Sequence, residues 1–266
     1  MRARRRISAP CGSSPIPPDG WRSSPARIWR SASRSRSEVT PRAILTDIEG
    51  TTTAIAFVKD RLFPFAAEAL DGFLASHGSA PAVATILADI RATAPGEPPA
   101  KVLRSWMAED SKATPLKALQ GLIWRQGYED GRLKGQLWPD VPDCLRAWAA
   151  GGVRLAVYSS GSVEAQKLLF GHSEAGDLIP LFSGFFDTRV GAKREAASYA
   201  AIALELALPP AEILFLSDVA EELDAAAAAG LGCCQLVREA DGTIASGRHP
   251  AEPDFSGVTR RFKLPG

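Results

Sequence analysis

Apolar residues in this chain come in two rhythms, and the way they alternate predicts the architecture. Short apolar runs that stop at polar residues occur at Arg42–Thr46, Val153–Tyr158, Phe182–Asp187, Ile213–Ser217 and Leu231–Leu236. Each has the length and composition of a strand buried on both faces. Between them lie stretches of helical spacing at 142–150, 162–170, 195–207 and 219–229, with Gly151-Gly152 and Gly230 as stop signals. Strands alternating with helices imply a parallel sheet covered on both sides.

The first alternation is interrupted. From Ile55 to Ser76 the residues Phe57, Leu62, Phe65, Ala66, Leu70, Phe73 and Leu74 recur at helical spacing, with Pro64 placed to break or restart the turn. Ala80–Ala94, Ala100–Trp106 and Pro115–Gln126 read as further helices, and 96–100 as a loop. A helical insert over 56–137 therefore follows the first strand. Trp106, Trp124 and Tyr128 read as packing residues of that insert. The expected division is a core of 41–55 and 138–245, the insert of 56–137 between its halves, and a C-terminal tail of 246–266.

Composition adds one asymmetry. The net charge is +1, yet residues 1–40 hold nine arginines against Asp19 and Glu38, so the remainder carries −6. An acidic body argues against nucleic acid as the partner, because neutralising phosphates needs a basic face. Residues 1–40 are rich in serine, arginine and proline without periodic apolar positions, and are expected to be a disordered extension. That composition also resembles an organellar transit peptide. Cys11, Cys144, Cys233 and Cys234 have no zinc or disulfide spacing, which points to a reducing compartment. No apolar run has the roughly 18 residues of a membrane span. A cytoplasmic protein with neither membrane nor nucleic-acid partners is expected.

Candidate chemistry gathers at the strand ends. The first strand runs into Asp47, Glu49 and then Gly-Thr-Thr-Thr at 50–53. On an extended chain, Glu49 points to the same side as Asp47. Beyond the second strand stand Ser159, Ser160, Gly161 and Ser162, hydroxyls and backbone N–H groups at a helix start that suit an anion. Lys193 follows the third and Asp218 the fourth, with Glu221 and Glu222 behind it. Each also has a plain structural reading: helix capping for the serines and Asp218, a surface amine for Lys193, helix-dipole partners for Glu221 and Glu222. Together they make the inventory of phosphoryl transfer: nucleophile, acid/base, phosphate cradle, neutralising cation and metal ligand.

In this order the residues resemble the haloacid dehalogenase (HAD) superfamily. DIEGTTTAIAFVKDRLFPFA, YSSGSVEAQKLLFGHS and ILFLSDVAEELDAA resemble its enolase-phosphatase family of methionine salvage, over roughly 42–240. The resemblance implies a HAD-like, doubly wound parallel sheet, a Rossmann-like core with a helical cap inserted after the first strand. It implies a Mg²⁺-dependent enzyme, monomeric, with one Mg²⁺ per subunit. Its substrate would be the small phosphorylated metabolite 2,3-diketo-5-methylthiopentyl-1-phosphate, enolised and then hydrolysed to the acireductone 1,2-dihydroxy-3-keto-5-methylthiopentene. A HAD phosphatase for another small phosphorylated metabolite is the alternative. By the same resemblance, Asp47 would be nucleophile and metal ligand, and Glu49 acid/base and a ligand through its carbonyl. Asp218 would complete the metal site, Ser159, Ser160 and Lys193 would hold the phosphoryl group, and the insert would act as a lid.

Overall fold

The computed structural model describes residues 40–266, so the Arg/Ser-rich extension, Thr40 aside, lies outside the described residues. Six strands form one parallel sheet: β1 (Ala43–Thr46), β2 (Arg154–Tyr158), β3 (Phe182–Phe186), β4 (Ile213–Ser217), β5 (Gly232–Leu236) and β6 (Ala251–Glu252). Their order is β3-β2-β1-β4-β5-β6. The chain winds outward from β1 through β2 and β3, then crosses back to build β4, β5 and β6 on the other flank. The reversal falls between β1 and β4, and ligands of such sheets bind beyond the carboxyl ends at that point.

Alternate residues of each strand go to opposite faces. Ile44, Leu155, Val157, Leu214 and Leu216 pack against α6 (Val141–Ala150), α7 (Val163–Gly171) and α10 (Phe255–Phe262). Ala43, Leu45, Ala156, Tyr158 and Phe215 pack against α8 (Ala196–Glu205) and α9 (Ala220–Ala228). Unbroken apolar strands are the consequence of burial on both sides.

Between β1 and α6 the chain leaves the sheet for α1 (Ile55–Phe57), α2 (Phe63–His77), α3 (Pro81–Thr93), α4 (Pro99–Ala108) and α5 (Thr114–Glu129). Proline stands in the first turn of α2 to α6, where its missing N–H leaves nothing unsatisfied. Leu70, Phe73, Leu87, Ile90, Leu103 and Leu119 belong to an apolar cluster made by α2 to α5. Pro64 restarts the helix: residues Val58–Leu62 adopt π-helical pairing, with the Phe63 N–H reaching the Val58 carbonyl, before α2 continues.

The pattern of apolar positions leaves everything after Leu236 without an element, yet the chain there forms β6 and α10. Asp254 caps α10 by accepting from the Gly257 N–H at 2.6 Å. Phe255 and Val258 are fully buried in the core, and Thr259 accepts from the Trp148 indole N–H at 2.9 Å.

Candidate active site

Asp47 is held one step beyond β1. Its N–H continues the ladder to the Leu216 carbonyl at 2.9 Å, which leaves the carboxylate at the sheet mouth with 5% of the residue exposed. The chain then turns back instead of staying extended. The Ile48 carbonyl accepts from the N–H groups of Thr51, Thr52 and Thr53 at 3.2, 2.9 and 3.0 Å. Glu49 stands where this turn begins, and its carboxyl faces the same mouth as Asp47, whose charge it feels together with that of Lys193. Gly50 makes that turn at φ +72°, and a Cβ there would stand 2.5 Å from the Asp218 carboxyl carbon. Arg238, a buried residue with no motif to mark it in the sequence, clamps the turn from behind. Its guanidinium donates to the Thr51 carbonyl at 2.9 Å and to Asp140 at 2.8 Å.

Lys193 is brought to Asp47 by a loop pinned from below. Tyr199 donates to the Lys193 carbonyl at 2.7 Å, Ser198 to the Ala192 carbonyl at 2.8 Å and Tyr158 to the Gly191 carbonyl at 2.9 Å. The Lys193 ammonium lies 2.6 Å from Asp47 Oδ1 and 2.7 Å from Glu222 Oε2, with its side chain 10% exposed. Burial favours the neutral amine, but the Asp47 and Glu222 charges outweigh it and hold the Lys193 pKa above its ordinary value. It is no surface amine. Glu222 likewise leaves the role of dipole partner: it is buried, and it accepts from Ser217 Oγ at 3.0 Å. Burial first, and then the Asp47 charge, raise its pKa.

Asp218 faces Thr51 across the mouth. Its N–H donates to Thr51 Oγ1 at 3.1 Å, and the Thr51 hydroxyl lies 3.5 Å from Asp218 Oδ1. It does not cap α9, whose N-cap position is Val219 and whose first turn receives no side-chain cap. Burial, then the Asp47 charge, push the Asp218 carboxyl up to about 6. Burial and Asp47 also raise Glu49, with Lys193 and Lys112 of the insert pulling the other way.

Asp47, Glu49, Asp218 and Glu222 thus share the charge of Lys193, and the Asp47 repulsion that adds to burial in raising Asp218 is what a divalent cation would relieve. Among the described residues no three His, Cys, Asp or Glu side chains converge into an all-protein metal cage. Mg²⁺ does not ask for one, since it is commonly held by one or two carboxylates with waters and substrate phosphate completing its shell. The oxygen-only donor set at Asp47 and Asp218 fits it.

At the β2 end, Ser159 is buried and its Oγ accepts from the Gly161 N–H at 3.3 Å. Ser162 takes the capping role, accepting from the Ala165 N–H at 3.2 Å, which leaves the exposed Ser160 free of it. Gln166 fastens the loop by donating to the Gly161 and Phe186 carbonyls, both at 2.8 Å. A cavity of about 1170 Å³ opens between this loop and the insert. Glu49 and Ser160 line it, while Leu62, Phe63, Trp106 and Trp124 form apolar wall. Trp106 and Trp124 are therefore cavity residues as well as packing residues. Buried Tyr128 is not part of the lining.

The family model of haloacid dehalogenase-like hydrolases matches residues 41–230. Enolase-phosphatase E1 of Granulibacter bethesdensis is 58% identical over 226 residues, which cover 85% of this chain and 98% of that protein. Enolase-phosphatase E1 of Pseudomonas aeruginosa is 57% identical over 226 residues, 83% of this chain and 99% of that one. The crystal structure of UTR4 protein from Saccharomyces cerevisiae matches with a TM-score of 0.70 at 32% identity, over 80% of this chain and 98% of that chain. The chain belongs to the haloacid dehalogenase-like hydrolases and, within them, to the enolase-phosphatase E1 family.

Proposed function

We propose that the protein enolises 2,3-diketo-5-methylthiopentyl-1-phosphate and then hydrolyses its phosphate, releasing the acireductone 1,2-dihydroxy-3-keto-5-methylthiopentene. The observation that carries this is the Lys193 ammonium 2.6 Å from Asp47 Oδ1, with Glu49 two residues on in the cavity wall. Membership of the enolase-phosphatase E1 family supports the substrate.

Two proton-and-charge tasks fall to these residues. In the first, the Glu49 carboxylate removes a proton from the carbon that bears the phosphate ester, and the electron pair moves onto the neighbouring carbonyl oxygen. In the second, Asp47 attacks phosphorus in line and forms an aspartyl-phosphate, while Glu49 returns a proton to the leaving oxygen. Water then cleaves the acyl phosphate. Positioned acid/base help of this kind is worth about 10²–10⁴-fold. Lys193, kept cationic by two carboxylates, balances the phosphoryl charge. Ser160 and the loop fixed by Ser159 and Gln166 cradle the phosphoryl oxygens.

Asp47, Asp218 and the Glu49 main-chain carbonyl would hold one Mg²⁺ per subunit. When bound, it supplies charge neutralisation at the phosphoryl oxygens. The insert of 56–137 is read as the lid that keeps water from the reaction. A cytoplasmic monomer completes the reading. Buried Cys234, with burial raising its thiol pKa to about 12, suits a reducing compartment. Size-exclusion chromatography tests the monomer.

Purified protein incubated with the diketone phosphate should release phosphate and develop an enediol absorbance with Mg²⁺, and do neither with excess chelator. Phosphate release from other small phosphate esters but not from the diketone would overturn the reading.

A further inference from the structure

The insert buries a polar side chain that its own packing does not use. On α5, Leu116, Leu119 and Ile123 are buried apolar residues, as a helix facing a core requires. Gln120 stands among them, 7% exposed, and its side chain has no hydrogen-bond partner among the described residues. Buried amides elsewhere in the molecule are used. Gln166 spends its NH₂ on two carbonyls, though its side-chain oxygen has no partner among the described residues, and Gln235 donates to the Asp218 carbonyl at 2.9 Å while accepting from the Ser246 N–H at 2.8 Å. The Gln120 amide atoms are not sealed in the core: they reach the cavity, where water or a ligand can bond them.

The position of Gln120 accounts for it. The residue lines the same cavity as Glu49 and Ser160. Leu116, one turn earlier on α5, and Trp124, one turn later, are apolar lining on either side of it. The Trp124 indole N–H is already spent on the Leu62 carbonyl at 2.8 Å. Two cations of the wall, Lys112 and Arg189, are paired with Asp110 and Asp187. Gln120 therefore offers an uncommitted, uncharged donor within an apolar stretch. A neutral amide NH₂ in such a place suits a carbonyl oxygen more than a phosphoryl oxygen, whose charge calls for cations or backbone N–H groups.

We propose that Gln120 reads the ketone of the substrate: its side-chain NH₂ donates to a carbonyl oxygen of the phosphorylated diketone, while Leu116 and Trp124 receive the apolar tail. This rests on the enolase-phosphatase reading. The hydrogen bond orients the dicarbonyl across the cavity from Glu49, and it strengthens as that oxygen gains negative charge during deprotonation. It makes α5 the element that separates a diketone phosphate from an alkyl or aryl phosphate of similar size.

Gln120→Met and Gln120→Glu in the full chain test this. Both keep the side-chain length, and both remove the donor. Activity on the diketone phosphate is compared with activity on p-nitrophenyl phosphate, an ester without a ketone, and Tm is recorded for each protein. For Gln120→Met, the ratio of the two kcat/KM values should fall about tenfold in disfavour of the diketone, with Tm unchanged or raised. Gln120→Glu should fall further, since a carboxylate repels the developing oxyanion. An unchanged ratio with both substrates, or a several-degree drop in Tm of Gln120→Met with both activities falling in parallel, overturns the assignment of Gln120. A wild-type protein that hydrolyses p-nitrophenyl phosphate but not the diketone phosphate removes the underlying reading instead, and the two failures are told apart by the wild-type assay.

Discussion

The Glu222 carboxylate stands 2.7 Å from the Lys193 ammonium, so the cation paired with Asp47 is fixed from a second side by α9. Glu222→Gln keeps the shape and removes one of the two charges that raise the Lys193 pKa. Lys193 should then titrate at lower pH, and kcat should fall about tenfold to hundredfold with KM little changed. Lysine side-chain NMR and steady-state kinetics read the two effects. Glu222→Ala leaves the buried ammonium with Asp47 alone and should destabilise the fold by about 1–3 kcal/mol, measured by urea unfolding.

Asp47→Asn removes both the proposed nucleophile and the charge that its neighbours feel. Turnover should drop by about 10⁴-fold or more while the fold persists. Because the Asp47 charge helps to raise Asp218, Glu49 and Glu222, all three should titrate at lower pH in the variant. Carboxyl ¹³C NMR of metal-free protein follows them. Unmoved titrations would mean that these carboxylates do not face one another.

The pH dependence has a definite sign. Asp218 has a raised pKa of about 6, so the metal-free fold favours its protonated form. The stability this contributes is fully present below the unfolded value of 3.8 and is lost as pH rises through about 6. Mg²⁺ binding requires the ionised carboxylate. It should release about half a proton from this group at pH 6 and almost none at pH 8. Calorimetry of Mg²⁺ binding in buffers of different ionisation enthalpy measures that release, and Asp218→Asn should remove it.

Gly50→Ala meets two obstacles. The φ of +72° costs an alanine about 1–2 kcal/mol. Its Cβ would also lie 2.5 Å from the Asp218 carboxyl carbon, so Asp218 must move. Mg²⁺ affinity should therefore fall by more than the loss in Tm alone accounts for. Equal behaviour of metal binding in Gly50→Ala and wild type would show that Asp218 has another place to go.

The strand ends were legible because an apolar run that stops at a polar residue leaves a visible mark, and Asp47, Ser159, Lys193 and Asp218 all carry it. Glu222 left none. An acid in the first turn of a helix is explained by the helix alone, and nothing local says which way that turn faces. Gln120 is a polar position in a helix, and sequence does not separate one that faces solvent from one that faces a cavity. Arg238 is a lone basic residue after a strand, ordinary until Asp140 and the Thr51 turn are folded around it. Helix α10 was illegible because Phe255, Val258 and Phe262 span barely two turns, with Gly257 among them and no longer periodicity to support them. The turn at Ile48–Thr53 depends on hydrogen bonds that pattern does not encode.

β1 is the middle of the sheet and the earliest strand along the chain. Its Ala43 pairs with Arg154 on one side and Ile213 on the other. The helices of the insert instead find their partners nearby, within α2 to α5. Near-neighbour contacts form faster than pairings across long stretches of chain. On the ribosome, the helices of the insert emerge together with their packing partners while Asp47 still lacks its own, and Asp47, Lys193 and Asp218 can meet only after β4 has been synthesised. The proposed chemistry at phosphorus is thus withheld until most of the polypeptide has emerged, and a chain cut short before β4 holds the whole insert and half the sheet but lacks Asp218 and Glu222.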